Sequence, residues 1–296
     1  MAQRPVQKPT LCLHVGYGKT GSTAIQAWLL SQRSALEAAG VAYPIPKEGV
    51  GDSGNGSLLV EALAQPTEKP WWLEELQPGI QGVLFSREHL ARELSQPHCC
   101  DLLADFAQRW GFGSIRILLF VRDPREHCYS LWAQKVKRAG ECRSLATFAA
   151  AYDGISMISS FIKAAVAAQC YLRVLDYGQH RHALLYSVAE WLSIVLPGVG
   201  DLPNHLSVPL STQNIINLTP SRSQLRLKRY INRFWLGAKP PLPSKKIANF
   251  ILRFSPAQSF ISDSIFKEWN TQSLSLRSVK SIFIEFVDPF PLGSSH

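Results

Sequence analysis

The feature that most constrains this fold is a short apolar run that ends in a glycine-rich turn. Residues Thr10–Val15 predict a buried strand, and residues 16–21 contain three glycines. Apolar residues then recur at helical spacing from Ser22 to Ala39, and Val41–Tyr43 predicts a second strand. A strand, a loop, a helix and a strand in this order predict the opening of a parallel α/β sheet.

The other elements follow from apolar periodicity further along the chain. The first helix is expected to be capped by Ser22 or Thr23 and to end at Gly40. Three more strands are expected, at Gly82–Ser86, Ile115–Val121 and Leu172–Leu175. Further helices are expected at Leu58–Ala64, Trp71–Leu76, Arg87–Leu94, Asp101–Trp110, Pro124–Arg138 and Ala183–Leu196.

These elements predict the fold class and the domain organisation. We expect a P-loop-like three-layer α/β fold with a central parallel sheet of about five strands. Residues 1–200 are expected to form the core. Residues 201–296, where the periodicity loosens, are expected to form an irregular, mainly helical cap packed on it. The basic stretch Arg222–Arg233 in this cap suits either a polyanionic acceptor or membrane surface, or an ordinary solvated helix face.

The glycine-rich loop has the chemistry of an anion site. A turn between a strand and a helix presents backbone N–H groups toward one point, and the start of the helix adds partial positive charge. Lysine supplies a full charge there, and hydroxyl groups donate hydrogen bonds. The candidate binding residues are Gly18, Lys19, Thr20, Gly21, Ser22 and Thr23.

This loop has two possible interpretations as a nucleotide site. A nucleotide-hydrolysing P-loop reads G-x-x-x-x-G-K-[ST], which requires a glycine where this chain has Leu13. A kinase or NTPase, with Asp123 as a candidate ligand for Mg²⁺, is therefore the second choice.

The stretch H-V-G-Y-G-K-T-G-S-T-A-I-Q-A-W-L, residues 14–29, resembles the 5′-phosphosulfate-binding loop of sulfotransferases that use 3′-phosphoadenosine 5′-phosphosulfate (PAPS). In that family the loop holds the 5′-phosphate, and its lysine contacts the bridging oxygen that leaves with the nucleotide. The resemblance implies the same role for Lys19. It also implies PAPS as co-substrate, 3′,5′-adenosine bisphosphate (PAP) as product and no metal.

A second segment, V-R-D-P followed by S-x-W, resembles the 3′-phosphate motif of the same family. Arg122 leaves the end of a predicted strand, and Ser130 follows eight residues later. An arginine fork and a serine hydroxyl suit a phosphate group. Read without the resemblance, Asp123 caps a helix that starts at Pro124. Many relatives have a second arginine where this chain has His127, so that contact is not expected.

The third segment supplies candidate bases. Glu88 and His89 follow the strand Gly82–Ser86, and ligands of parallel sheets gather beyond the carboxyl ends of strands. The S-x-E pattern resembles the carbohydrate-modifying branch of the family, which favours Glu88 over His89 as the base. The alternative places Glu88 in the first turn of a helix, where it only complements the helix dipole.

Composition bounds the possible partners. The formal net charge is +9, which suits nucleic acid, an anionic membrane or a polyanionic small substrate, but no DNA- or RNA-binding motif is present. The six cysteines form no C-x-x-C pair, so reduced thiols are expected. No apolar run approaches the length of a transmembrane helix, and the sequence near the N-terminus lacks a signal-peptide pattern. A cytoplasmic location is expected.

The sequence therefore predicts a sulfotransferase that moves a sulfuryl group from PAPS to a hydroxylated acceptor, a carbohydrate or a small metabolite. Catalytic roles are expected for Lys19, Glu88 and His89. The alternatives are a P-loop nucleotide kinase or NTPase and a non-catalytic nucleotide-binding protein. Nucleic acid is not an expected partner.

Overall fold

The five predicted strands form one parallel sheet in the computed structural model, which describes residues 8–47, 54–206 and 222–234. The strand order is β2-β3-β1-β4-β5, and every neighbouring pair is parallel. The strands are β1 Thr10–Val15, β2 Val41–Ala42, β3 Gly82–Arg87, β4 Ser114–Val121 and β5 Tyr171–Asp176. The predicted fold class, an α/β fold with a central parallel sheet of about five strands, is confirmed.

Helices occupy most of the remaining described residues. They are α1 Ser22–Ser31, α2 Arg33–Ala38, α3 Ser57–Ala64, α4 Trp71–Glu74, α5 Leu90–Leu94, α6 Cys99–Arg109, α7 Pro124–Arg138, α8 Leu145–Ala150, α9 Gly154–Ala167, α10 Tyr177–His180, α11 Leu184–Val195, α12 Leu202–His205 and α13 Arg222–Phe234, with a 3₁₀ turn at Pro197–Val199. The helices α8 and α9 were not predicted from the sequence.

Strand β1 shows why helices cover both faces of the sheet. Its residues Leu11, Leu13 and Val15 belong to one buried cluster, whereas Cys12 belongs to a second. Successive side chains of a strand point to opposite faces, so an apolar strand needs a cover on each side. Helices α3, α5, α6 and α9 contribute to the first cluster, and α1, α2 and α11 contribute to the second.

Two local predictions around the first helix are wrong. The expected helix from Ser22 to Ala39 is divided at Gln32, where α1 ends and α2 begins. Neither Ser22 nor Thr23 caps α1: its N-cap is Gly21, and no side chain accepts a capping hydrogen bond. Gly40 does follow the helical pair, with a positive φ of 85°.

The described residues form two compact units. The first unit contains the sheet and comprises residues 8–47, 54–122 and 156–206. The second comprises residues 123–155 and 222–234, and its helices α7, α8 and α13 pack around Cys128, Trp132, Val136, Phe148 and Leu225.

The predicted boundary between a core and a C-terminal cap remains a prediction. Most of residues 201–296 lies outside the described residues, and within that range the structure describes α12 and α13.

One stretch in the described residues has the length and composition of a membrane span, contrary to the sequence prediction. Residues Leu145–Ala167 pass that test, and a third of the most apolar window is buried. The stretch contains no long uninterrupted apolar run, because serine, lysine and aspartate interrupt it, and it was therefore not predicted as a membrane span. Helix α8 ends at Ala150 and α9 begins at Gly154, while Phe148 and Phe161 are buried. A single such stretch is weak evidence for a membrane span.

Candidate active site

The loop after β1 adopts an unusual backbone conformation. Gly18 and Lys19 are consecutive residues with positive φ, 71° and 54°, and Gly21 has a φ of 80°. Positive φ is easy for glycine but strained for lysine. Strain of this kind persists where the surrounding structure holds it, and turns built from left-handed residues form concavities lined by N–H groups that bind anions.

Backbone hydrogen bonds hold this loop against the segment after β3. The Gly16 N–H donates to Arg87 O at 2.9 Å, and the Ala91 N–H donates to Gly16 O at 3.4 Å. A Cβ on Gly16 would lie 2.6 Å from Arg87 O and 2.8 Å from Ser22 Oγ. Only glycine fits here, and the close fit places the Ser22 hydroxyl against the first residue of the loop.

Two buried hydroxyl groups of the loop lack a hydrogen-bond partner in the part of the chain that the structure describes. Thr20 is fully buried and Ser22 is 3% exposed, yet neither Thr20 Oγ1 nor Ser22 Oγ makes a hydrogen bond within the described residues. Buried hydroxyl groups in folded proteins are almost always paired, because an unpaired one costs roughly 1–3 kcal/mol. A ligand with acceptor oxygens would pair both groups. Thr23, by contrast, is exposed.

The start of α1 adds further donors. No side chain caps this ten-residue helix, and its N-cap is a glycine. The first N–H groups of a helix have no partner inside the helix, and the dipole makes this end partly positive. The absent cap, which the sequence analysis did not anticipate, leaves these groups to a ligand.

Arg122 lies beside the loop within the first unit. Its Nη1 donates to Lys19 O at 3.4 Å, and its guanidinium lies 5.6 Å from the centre of the Tyr177 ring. Tyr177 also approaches the loop, because a Cβ on Gly21 would lie 3.5 Å from Tyr177 Cε2. No sequence motif singles out Tyr177, so its position beside the loop was not predicted. Its ring joins Arg122 to the loop.

The side chains of Glu88 and His89 lie next to Gly18. A Cβ on Gly18 would lie 3.5 Å from His89 Cε1 and 3.7 Å from Glu88 Oε1. Strand β3 extends to Arg87, and His89 is the N-cap of α5 with a φ of 71°. Glu88 therefore precedes the helix, so the alternative that placed it in a first helical turn is wrong. The two side chains reach the same glycine, although adjacent residues of a helix would diverge.

The two candidate bases differ in their surroundings. Glu88 is half-buried and His89 is exposed. Within the described residues, the Glu88 carboxylate makes no hydrogen bond or ion pair, whereas the neighbouring Arg87 is held by Glu93 through contacts of 2.9–3.0 Å. The Arg87 cation is therefore committed elsewhere, and Glu88 is available as a proton acceptor.

A buried polar pair supports the end of β3. His14 Nδ1 and Ser86 Oγ are 2.8 Å apart, and the two residues are aligned in the β1–β3 register. Burial lowers the pKa of His14 to about 4, so its imidazole is neutral near pH 7. The Ser86 N–H donates to Asn55 Oδ1 at 2.8 Å, and Asn55 Nδ2 donates to Leu84 O and Pro44 O. The contacts of His14 and Asn55 with Ser86 were not predicted from the sequence.

The predicted partner of Arg122 belongs to the other unit. Ser130 is buried on α7, at 7% exposure, and Asp123 caps that helix by accepting from the Arg125 and Glu126 N–H groups at 2.9 and 3.1 Å. His127, which stands where relatives have arginine, is buried and contacts Tyr152 OH at 2.6 Å through Nδ1. The joint role of Arg122 and Ser130 remains a prediction.

The described residues contain neither a group of metal ligands nor a disulfide. Among residues 8–47, 54–206 and 222–234, no three His, Cys, Asp or Glu side chains form a group that could hold a metal ion. The six cysteines are free thiols, as predicted, and burial raises the pKa of Cys100 to about 11.

The chain has a distant likeness to a solved structure. No protein-family model matches this chain, and no curated protein matches it. Among solved structures, the chain is similar to a sulfotransferase from Alicyclobacillus acidocaldarius, with 11% identity, a TM-score of 0.38 and coverage of 86% of this chain and 98% of that chain. At that TM-score the likeness says nothing about the function of this chain.

Proposed function

We propose that this chain is a PAPS-dependent sulfotransferase that transfers a sulfuryl group to an acceptor hydroxyl on a carbohydrate or a small metabolite. The observation that carries the proposal is a pair of buried hydroxyl groups, Thr20 Oγ1 and Ser22 Oγ, that lack a hydrogen-bond partner among the described residues, in a loop that also holds Lys19. Together with the uncapped start of α1, they form a cradle of donors whose natural complement is a phosphate or phosphosulfate group.

The residues present fit the co-substrate. The N–H groups and hydroxyls of residues 18–23 would hold the 5′-phosphosulfate, and Lys19 would neutralise part of its charge. Arg122 and Ser130 would hold the 3′-phosphate. Tyr177, which contacts both Gly21 and the Arg122 guanidinium, would keep that arginine in place.

The reaction is an in-line displacement at sulfur. The acceptor oxygen forms a bond to sulfur while the bond between sulfur and the bridging phosphate oxygen breaks. The proton of the acceptor hydroxyl passes to Glu88, and the electron pair of the broken bond stays on the departing phosphate. Lys19 and the N–H groups of the loop stabilise the charge that grows on that oxygen, which is the term most effective in lowering the barrier.

Glu88 remains the proposed base, and His89 the neighbour. Both side chains adjoin Gly18, but Glu88 is half-buried and lacks a partner among the described residues, whereas His89 is exposed. A carboxylate beside the loop can accept the proton of an acceptor hydroxyl that is bound there.

The kinase or NTPase alternative meets an obstacle in Asp123. One oxygen of this carboxylate already accepts two N–H groups at the start of α7, so it serves the helix as a cap. A non-catalytic nucleotide-binding protein would keep the cradle and lose transfer, and an activity assay separates it from the proposal.

The first experiment measures ligand choice. Calorimetric titrations with PAP, AMP, ATP and Mg-ATP are expected to give the tightest binding for PAP, and saturating PAP at about 100 times its Kd should stabilise the fold by about 2.7 kcal/mol. Equal affinities for PAP and AMP would contradict the 3′-phosphate site. Preference for Mg-ATP would favour the kinase alternative.

The second experiment measures transfer from radiolabelled PAPS to a panel of hydroxylated sugars and phenols. Glu88→Gln keeps the shape of the side chain but removes its basicity, so turnover should fall about 10²–10⁴-fold while PAP affinity is retained. His89→Asn should lower turnover much less. Glu37→Gln, at an exposed position on α2, is the matched control.

Loss of transfer in His89→Asn with normal turnover in Glu88→Gln would exchange the two roles. PAP binding without transfer to any acceptor would indicate a binding protein.

A further inference from the structure

Helix α13 in the second unit carries a concentration of positive charge that the proposed reaction does not use. Its thirteen residues include four arginines and one lysine and no acidic residue. Of these, Arg226, Arg229 and Arg233 stand at spacings of three and four residues, so they share one face of the helix.

These arginines line an open cavity of about 220 Å³ together with Cys142 and Tyr230. We call this cavity the α13 arginine pocket. Its volume lies below the range of roughly 300–1,000 Å³ that is typical of pockets for drug-sized ligands, so it can enclose only a small part of a larger ligand. Three guanidinium groups around one cavity are costly unless an anion compensates them, because like charges repel.

The pocket is held in shape by contacts within the second unit. Arg229 Nε and Nη2 both donate to Cys142 O at 3.4 Å, and the Arg229 guanidinium lies 5.7 Å from the centre of the Trp132 ring. Asn232 Nδ2 donates to Val136 O at 2.9 Å and to Glu141 O at 3.0 Å. These bonds fix α13 against the end of α7, so the arginine face is preorganised.

Among the described residues, no carboxylate neutralises the charge of the pocket. Arg226 and Arg233 are exposed, and neither has an ion-pair partner among the described residues. The nearby carboxylate of Glu141 is committed to Arg143, with contacts of 2.6 and 3.0 Å that lower the pKa of Glu141 to about 2. The part of the chain that the structure describes therefore leaves Arg226 and Arg233 free to pair with an anionic ligand.

We propose that the α13 arginine pocket binds a sulfate or carboxylate group of an acidic polysaccharide. Guanidinium groups match the planar or tetrahedral oxygens of such groups through paired hydrogen bonds. Tyr230, which is 62% exposed at the cavity, offers an amphipathic ring for the face of a sugar. The arginines extend over about 10 Å of helix, so the site takes anionic groups on neighbouring sugar residues.

Two other polyanions fit these observations less well. A membrane-bound amphipathic helix inserts its apolar face into lipid, but Leu225 of α13 is fully buried against α7 and α8. Proteins that hold single-stranded nucleic acid stack successive bases on several aromatic rings, and Tyr230 is the one exposed aromatic residue among the described side chains of α13.

The test measures binding alone, so it does not depend on sulfuryl transfer. A size-defined heparin oligosaccharide is titrated against the full chain at several salt concentrations. The double variant Arg226→Gln with Arg233→Gln is expected to raise the Kd about tenfold or more and to flatten the salt dependence. The matched control is Arg33→Gln with Arg109→Gln, which removes the same charge from exposed positions on α2 and α6 and should leave the Kd within about twofold.

A second variant and two other ligands complete the test. Arg226→Lys with Arg233→Lys keeps the charge but loses the paired donors, and an intermediate Kd is expected. Equal losses in the glutamine variants at the pocket and at the control positions would overturn the proposal. It would also be overturned if a single-stranded oligonucleotide of equal charge, or phosphatidylglycerol vesicles, bound more tightly than the oligosaccharide through the same arginines.

Discussion

The substitution Thr20→Val separates the stability of the free protein from its affinity for the nucleotide. Thr20 is fully buried and its Oγ1 has no hydrogen-bond partner among the described residues. Valine has nearly the same shape but no hydroxyl, so the variant removes an unpaired polar group from the interior. We expect the free protein to be stabilised by about 1 kcal/mol, which corresponds to roughly 2–4 °C in Tm.

The same substitution should weaken the bound state. If the Thr20 hydroxyl donates to a phosphate oxygen, its loss removes a hydrogen bond to a charged group, which is worth about 1.5–3 kcal/mol. The Kd for PAP should therefore rise about 10–100-fold. A substitution that stabilises the free protein but weakens PAP binding identifies a group that is unpaired in the free protein and paired by the ligand.

Urea denaturation without ligand and calorimetric titration with PAP measure the two effects. Thr10→Val is the matched control, because the Thr10 hydroxyl is 3.2 Å from Ser114 Oγ at the other end of β1. That variant should lose about 1 kcal/mol of stability and leave PAP affinity unchanged. If Thr20→Val destabilises the protein like the control and binds PAP normally, the cradle assigned to this loop is refuted.

Two further predictions concern charge in and near the loop. Lys19→Ala should lower turnover about 10²–10³-fold and PAP affinity by much less, because the Lys19 ammonium interacts most strongly with the charge that develops on the departing oxygen. Wild-type turnover in this variant would show that Lys19 has no part in the mechanism. Burial lowers the pKa of His14 from 6.5 to about 4, so the unfolded chain takes up this proton at a higher pH than the folded chain. The free energy of unfolding should therefore fall by about 3 kcal/mol as pH drops from 6.5 to 4, and His14→Asn should lose this component of the pH dependence. An unchanged dependence in denaturation curves of the variant would contradict the burial of His14.

The local elements of this fold follow from short-range patterns. Short apolar runs predicted β1 with its observed bounds and β4 within one residue of its start. Asp123 and Pro124 mark the start of α7, where both the cap and the first-turn proline occur. The glycine-rich loop could also be predicted as an anion site, since its chemistry resides in consecutive residues.

Tertiary structure decided the arrangement that joins distant parts of the chain. The register of β1 and β3 places His14 beside Ser86, 72 residues away, and brings Glu88 and His89 to Gly18. In the packed structure the N-cap of α1 is Gly21, whereas Ser22 or Thr23 was expected. These features depend on which strand lies next to which and on how closely two backbones approach. Periodicity and turn chemistry report the conformation of neighbouring residues, so only the packed sheet could supply those contacts.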